Sequence, residues 1–269
     1  MKIAIIAGSG NLPIQIARQN KEAFVLCVKD HSFPSSFINK SETISLLEPF
    51  RWITILKDNN ITHVVMAGKI NRPSKINDLS NKDVNDLINQ ISYVGDNSAL
   101  NYIQNFFNNN GFQILPVNSV LKDCFFSKGF FNEELFSTKL KDFVLSNANF
   151  GIDLLNTISK FDVGQSVVIL NKLVYAIEGL EGTSSMIDRV GTLYKKAQNS
   201  NDFGPILIKI PKLGQNKKLD LPVIGLETIE KCNKLGFSSI VVSSNGTLIV
   251  ELNKVITYIK KNNFCIYSI

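Results

Sequence analysis

The chain has 269 residues, 44% of them hydrophobic and 19% charged, a balance that suits a packed globular core and excludes a disordered or fibrous polymer. Its formal charge of +6 points to an anionic partner. Basic runs are no longer than pairs, which disfavours nucleic acid and leaves a phosphorylated metabolite or an acidic lipid surface.

Taken in chain order, "KIAIIAG" is a short β-rich run, and "NLPIQIARQN" follows it with helical spacing and Pro13 suited to a first turn. The N-terminal run is too short for a signal sequence, and no stretch approaches the ~20 apolar residues of a membrane span. "AFVLCV", "ITHVVMAG" and "GFQILPV" are buried-strand candidates separated by helical stretches such as "EPFRWITILKDNN" and "NSALNYIQNFFNNN". The first half therefore predicts an α/β unit with a mainly parallel sheet. The alternation breaks near residues 127–138, where "FFSKGFFNEELFSTKL" predicts a helix resuming after Gly129. This gives an N-terminal domain over 1–130 and a C-terminal domain over 131–269. The second is expected to be mixed α/β, with one hairpin turning at Asn171 and Lys172 and another around Asn245 and Gly246.

Cys27, Cys124, Cys232 and Cys265 lie far apart in apolar surroundings, so reduced, buried thiols in a cytoplasmic protein are expected. With His31 and His63 the only histidines, a histidine-rich zinc site is excluded and a Ser-His-Asp arrangement has little room. His63 reads as structural, and His31 as a loop residue that could touch a ligand but has no visible partner.

Several stretches offer phosphate chemistry. In "GSGNLP", Gly8 and Gly10 follow the first strand and could bring backbone N–H groups to a phosphate at a helix N-terminus, or form a tight turn and nothing more. Asp30 stands where a ribose-binding acid would follow the next strand, but Pro13 occupies the place of a third glycine in a dinucleotide fingerprint. "MAGKINRP" sets Lys69 and Arg72 just beyond another strand, where ligands of open α/β sheets gather. In "AIEGLEGTSSMIDR", Glu178 and Glu181 flank a glycine turn that could hold a hard cation, Thr183 or Ser184 suits a helix N-cap, and Arg189 could reach a phosphate. In "KLGQNKKLDLPVIG", Lys209 just upstream with Lys212, Lys217 and Lys218 surrounds Asp220. That charge should keep the carboxylate ionised for metal binding or water orientation; otherwise Asp220 is an exposed ion-pair partner or a helix cap.

Six of these motifs together resemble one family, the UDP-2,3-diacylglucosamine pyrophosphatases of the LpxI type from lipid A biosynthesis. The carriers are "AGSGNLP", "MAGKINRP", "GDNSAL", "DVGQSVV", "EGTSSM" and "GQNKKLDLPVIG", in that order along nearly the whole chain. The resemblance implies a Rossmann-like N-terminal half, a distinct C-terminal half, and a lipid nucleotide held between them. It implies Mg²⁺-dependent hydrolysis of a pyrophosphate to UMP and 2,3-diacylglucosamine 1-phosphate, with Asp220 as the catalytic aspartate. Asp220 and Glu181 are then the metal candidates. The substrate-binding candidates are Gly8, Gly10, Lys69, Arg72, Gln165, Glu181, Gly182, Thr183, Arg189, Lys209, Lys212 and Gln215. Partners expected on this reading are the UDP-linked lipid and, peripherally, the anionic cytoplasmic face of the inner membrane; a homodimer is left open. Asn11, Ser184 and Asn216 stand where the family usually has aspartate, and Lys218 where it has arginine. A nucleotide-binding oxidoreductase built on the GSG turn is the rival expectation.

Overall fold

The computed structural model describes residues 1–71, 96–197, 203–214 and 220–269. The chain divides into two compact units, Met1–Lys122 with Asn216–Asp220, and Asp123–Gln215 with Leu221–Ile269.

The first unit is built on a five-stranded parallel sheet in the order β3-β2-β1-β4-β5, formed by β1 (Ile3–Ala7), β2 (Phe24–Val28), β3 (Ser41–Ile44), β4 (His63–Ala67) and β5 (Gln113–Ile114). This is the Rossmann-like arrangement expected of the sequence, with the strand order reversing beside β1. The inner strands β1 and β2 are almost continuously apolar because helices cover both faces of such a sheet. Helix α1 (Asn11–Gln19) buries Leu12, Pro13, Ile16 and Ala17, the positions its spacing selects. Helix α2 (Pro49–Asp58) opens with proline at its first position, where no N–H is needed, and buries Trp52, Ile53 and Leu56. With Phe107 of helix α3 (Asp96–Asn109), these side chains form the core on one face of the sheet. Strand β3, with the pattern of a half-exposed edge, is the element that the apolar runs of the sequence did not single out.

The second unit carries a six-stranded mixed sheet in the order β6-β13-β11-β9-β7-β8. Its strands are β6 (Gly129–Phe130), β7 (Ser166–Leu170), β8 (Leu173–Ile177), β9 (Ile206–Lys209), β11 (Ser239–Val242) and β13 (Cys265–Ser268). A separate parallel pair joins β10 (Val223–Ile224) to β12 (Leu248–Ile249). Helix α4 (Thr138–Ile158) packs on one face of the sheet. On the other face lie α5 (Gly182–Ala197), α6 (Leu226–Lys234) and α7 (Leu252–Asn262).

The expected β7–β8 hairpin forms, with Asn171 and Lys172 both in the left-handed region that a two-residue turn of this hand requires. The second expected hairpin does not. Strand β11 has parallel partners on both edges, β9 and β13, so no ladder position remains for the segment after Asn245 and Gly246. That segment turns away at Thr247, whose hydroxyl donates to the Lys209 carbonyl at 2.8 Å. The helix expected directly after Gly129 also begins later. Residues 129–130 pair antiparallel with β13, the Phe130 ring stacks on Tyr267 at 4.5 Å, and α4 starts only at Thr138, where Ser137 accepts the Leu140 N–H.

Candidate functional site

In the first unit, the loops after β1 and β4 are tied together through their backbones. The Gly8 N–H donates to the Ala67 carbonyl at 2.8 Å, and Ser9 and Lys69 exchange two backbone hydrogen bonds of 2.9 and 3.0 Å. The contact is so close that a Cβ at Gly8 would lie 2.6 Å from the Lys69 carbonyl oxygen, and one at Gly68 would lie 2.7 Å from that of Ser9. Two stretches read separately as phosphate loops are therefore one junction, and the N–H groups of Gly8 and Ser9 are already used in it. Gly10 and the first turn of α1 face a cleft lined by Gly8, Gly10, Asn11, Ile14, His31, Ser32, Phe33, Ser36 and Phe37. Lys69 is exposed beside the junction.

His31, expected to lack a partner, has two. Its Nδ1 donates to the Lys29 carbonyl at 3.0 Å, and its Nε2 accepts the Asn71 N–H at 2.8 Å. The ring thus links the loop after β2 to the loop after β4. Ser32 beside it is buried and donates to the Ala7 carbonyl at 2.6 Å. Neither role had a signal in the sequence, because both depend on strands brought together only by the sheet order.

In the second unit, the motifs "DVGQSVV" and "EGTSSM" meet. Glu178, at the end of β8, accepts the Thr183 hydroxyl at 2.6 Å on Oε1 and the Gln165 N–H at 3.0 Å on Oε2. Thr183 in turn accepts from Lys209 Nζ at 2.7 Å. The approach of the two chains is again set by a glycine, since a Cβ on Gly164 would lie 2.4 Å from the Glu178 carbonyl oxygen. Gln165, Gly182, Thr183 and Lys209 are therefore brought to one place, with Glu178 at the centre rather than at the rim. Thr183 lies inside α5, and its hydroxyl serves Glu178 instead of capping the helix, as expected of it from sequence.

Glu181 lies on the same loop, and its Oε1 accepts from Arg189 Nη2 at 2.8 Å. The Arg189 hydrogen bond, aided by backbone N–H groups, holds the Glu181 carboxyl below the ordinary carboxylate range. Lys212 is 7% exposed and pairs with Asp162, a residue of the "DVGQ" motif to which sequence reasoning gave no role. The left-handed conformation of Asp162, φ 54°, turns the chain directly after the 3-10 turn over Ser159–Phe161. Ser184 accepts from Lys231 Nζ at 2.7 Å, while the same ammonium pairs with Asp188 at 2.8 Å. The charge expected from an aspartate at Ser184 is thus met from one helical turn further on.

Asp220 is half-buried and precedes β10. The helix-cap reading of Asp220 is excluded, because α6 is preceded by Gly225 at its N-cap. Arg72, Gln215, Asn216, Lys217, Lys218 and the start of "GDNSAL" lie outside the described residues. Among the described residues, no three histidine, cysteine or carboxylate side chains cluster as a ready-made cation cage. Asp220 and Glu181 are single carboxylates of the kind that Mg²⁺ takes one or two of, with its remaining oxygens coming from substrate and water. The cysteines are buried, and desolvation raises their thiols, to about 11 for Cys124 and Cys265, so they are held protonated and are poor nucleophiles. Among the described residues no helix is long and apolar enough to cross a membrane.

Residues 2–124 match the family model described as the LpxI N-terminal domain, and residues 132–267 match that of the LpxI C-terminal domain. A relative from Caulobacter vibrioides, UDP-2,3-diacylglucosamine pyrophosphatase LpxI, is 26% identical over 264 residues, covering 95% of this chain and 92% of the relative.

Proposed function

This chain belongs to the LpxI family, and from that premise we propose that it hydrolyses the pyrophosphate of UDP-2,3-diacylglucosamine to UMP and 2,3-diacylglucosamine 1-phosphate. The observation that carries this reading is the meeting of the Gln165 N–H and the Thr183 hydroxyl on Glu178, with the Lys209 ammonium bonded to Thr183, which joins two distant motifs in one polar edge. Such an edge suits a diphosphate, whose charge grows on the leaving phosphate as the bond breaks.

In this reaction a water oxygen attacks one phosphorus, the bridging P–O bond breaks, and the bridging oxygen leaves with the other phosphate. Asp220 orients the water and takes its proton. Lys209, held by Thr183, offsets charge on the phosphate oxygens, and Arg189 and Lys69 are further phosphate contacts. The cleft beside Gly10 and His31 takes the nucleotide end, with the exposed ring of Phe33 available to stack on a base. When bound, Mg²⁺ would neutralise charge on the pyrophosphate, with Asp220 as the carboxylate that would hold it. Because the substrate is a membrane lipid, the protein works at the cytoplasmic face of the inner membrane, drawn there by its positive charge.

The test is release of UMP and diacylglucosamine 1-phosphate by purified protein supplied with the lipid nucleotide and Mg²⁺. Asp220→Asn should lower kcat by a factor of about 10² or more with little change in KM. Absence of UMP, or an Asp220→Asn enzyme as fast as the parent, would refute the assignment of chemistry. Chelation with EDTA separately tests the cation, and undiminished turnover would remove it from the scheme.

The oxidoreductase reading retains only the Rossmann-like strand order. The N–H groups of Gly8 and Ser9 that a dinucleotide pyrophosphate would need are spent on Ala67 and Lys69.

A further inference from the structure

Three loops of the second unit meet at the end of the sheet where β9 and β8 finish and β7 begins. The loop over 159–165 is joined to that over 210–214 by the Lys212–Asp162 ion pair and by the Leu213 N–H, which donates to Ser159 Oγ at 3.2 Å. It is joined to the loop over 178–182 by the Gly164 N–H, which donates to the Glu178 carbonyl at 3.1 Å. The arrangement inverts the usual one. The polar groups turn inward and bond one another, while the large apolar side chains at the tips face solvent: Phe161 is 69% exposed, Leu213 64%, and Leu180 fully. Leaving one such side chain in water forgoes roughly 1.5–3 kcal/mol of burial. The three stand on loops that these bonds tie together, which sets them apart from singly scattered surface residues.

Among the described residues of these loops, each carboxylate is tied to a basic side chain. The Asp162 and Glu181 carboxylates are matched by Lys212 and Arg189, and Glu178 is bonded through Thr183 to Lys209. Lys160, exposed, stands with its Nζ 5.1 Å from the centre of the Phe161 ring and adds a positive charge beside the apolar tips. Apolar tips flanked by a lysine suit a bilayer interface, where the rings and branched chains enter the acyl boundary and the ammonium stays among the headgroups. A second copy of this chain suits it less well, because a stable dimer buries about 800 Å² per partner and three separate tips offer far less.

We propose that Phe161, Leu180 and Leu213, with Lys160, form a membrane-docking edge that seats the second unit on an anionic bilayer. The proposal rests on the reading of the substrate as a membrane lipid. Its test uses vesicles without substrate, so an enzyme that fails the pyrophosphatase assay still gives a readable answer.

The wild-type protein should co-sediment with vesicles of phosphatidylethanolamine and phosphatidylglycerol in equal parts, and less with phosphatidylcholine. The triple variant Phe161→Glu, Leu180→Glu, Leu213→Glu should bind them about tenfold or more weakly, with an unchanged circular dichroism spectrum and unchanged turnover of detergent-dispersed substrate. Lys160→Glu should weaken binding and flatten its salt dependence. The proposal is overturned by wild-type protein that ignores the vesicles, or by a triple variant that binds them equally. It is also overturned if the triple variant keeps vesicle binding but raises KM for dispersed substrate, which would make the tips an acyl-chain subsite. A triple variant that keeps vesicle binding but converts a dimeric wild type into a monomer would likewise overturn it, by assigning the edge to a second copy.

Discussion

Replacing Thr183 with valine removes one hydroxyl and leaves nearly the same volume, so the effect isolates the chain from Lys209 through Thr183 to Glu178. Two hydrogen bonds are lost, of 2.7 and 2.6 Å, each with a charged group at one end and each part-buried. Bonds of that kind contribute about 1.5–3 kcal/mol apiece. Water reaches a half-buried site and recovers some of this, so the expected loss is about 2–4 kcal/mol for the pair. In a unit of this size that lowers the melting temperature by roughly 5–12 °C. Urea unfolding followed by circular dichroism measures the loss directly. Thr183→Ser, which retains the hydroxyl, should recover most of it and so controls for the change of side chain. Activity supplies the second readout: with Lys209 no longer positioned by the Thr183 hydroxyl, kcat should fall about tenfold or more, while Thr183→Ser stays near the parent. A Thr183→Val protein destabilised by less than ~0.5 kcal/mol would show that the hydroxyl is solvated and that Glu178 does not organise the site.

Two further outcomes follow from the packing. Gly68→Ala should cost more than about 2 kcal/mol, because φ there is 89° and the new Cβ would lie 2.7 Å from the Ser9 carbonyl oxygen; a melting temperature within error of the parent would contradict the loop junction. The raised thiols of Cys124 and Cys265 give a defined alkaline limit. Their neutral form is favoured by folding, so that stability is complete below pH 9.0 and is lost as pH rises through about 11, at roughly 1.4 kcal/mol per pH unit for each thiol. The double variant Cys124→Ala, Cys265→Ala should show a flatter decline in its urea midpoint over that interval, and an identical decline would refute the burial argument.

The sequence by itself determined what depends on short-range pattern. Apolar runs such as "AIIA" and "FVLCV" could only be strands buried on both faces. Asn171 marked the hairpin turn because asparagine enters the left-handed region more cheaply than most residues, and Lys172 follows it there. Six motifs in a fixed order carried the family, and with it the candidate residues Gln165, Thr183, Lys209 and Asp220. The tertiary structure decided what depends on which strands become neighbours. Occupied edges on β11 removed the second hairpin, and pairing with β13 delayed α4 to Thr138. Glu178 was legible only as one of two acids near a turn, because its partners lie 13 residues upstream at Gln165 and five downstream at Thr183. Its bond to Thr183, and through it to Lys209, exists only once β7, β8 and β9 lie side by side. A hydrogen bond needs atoms within about 3 Å, and separation along the chain carries no information about that distance until the sheet is assembled.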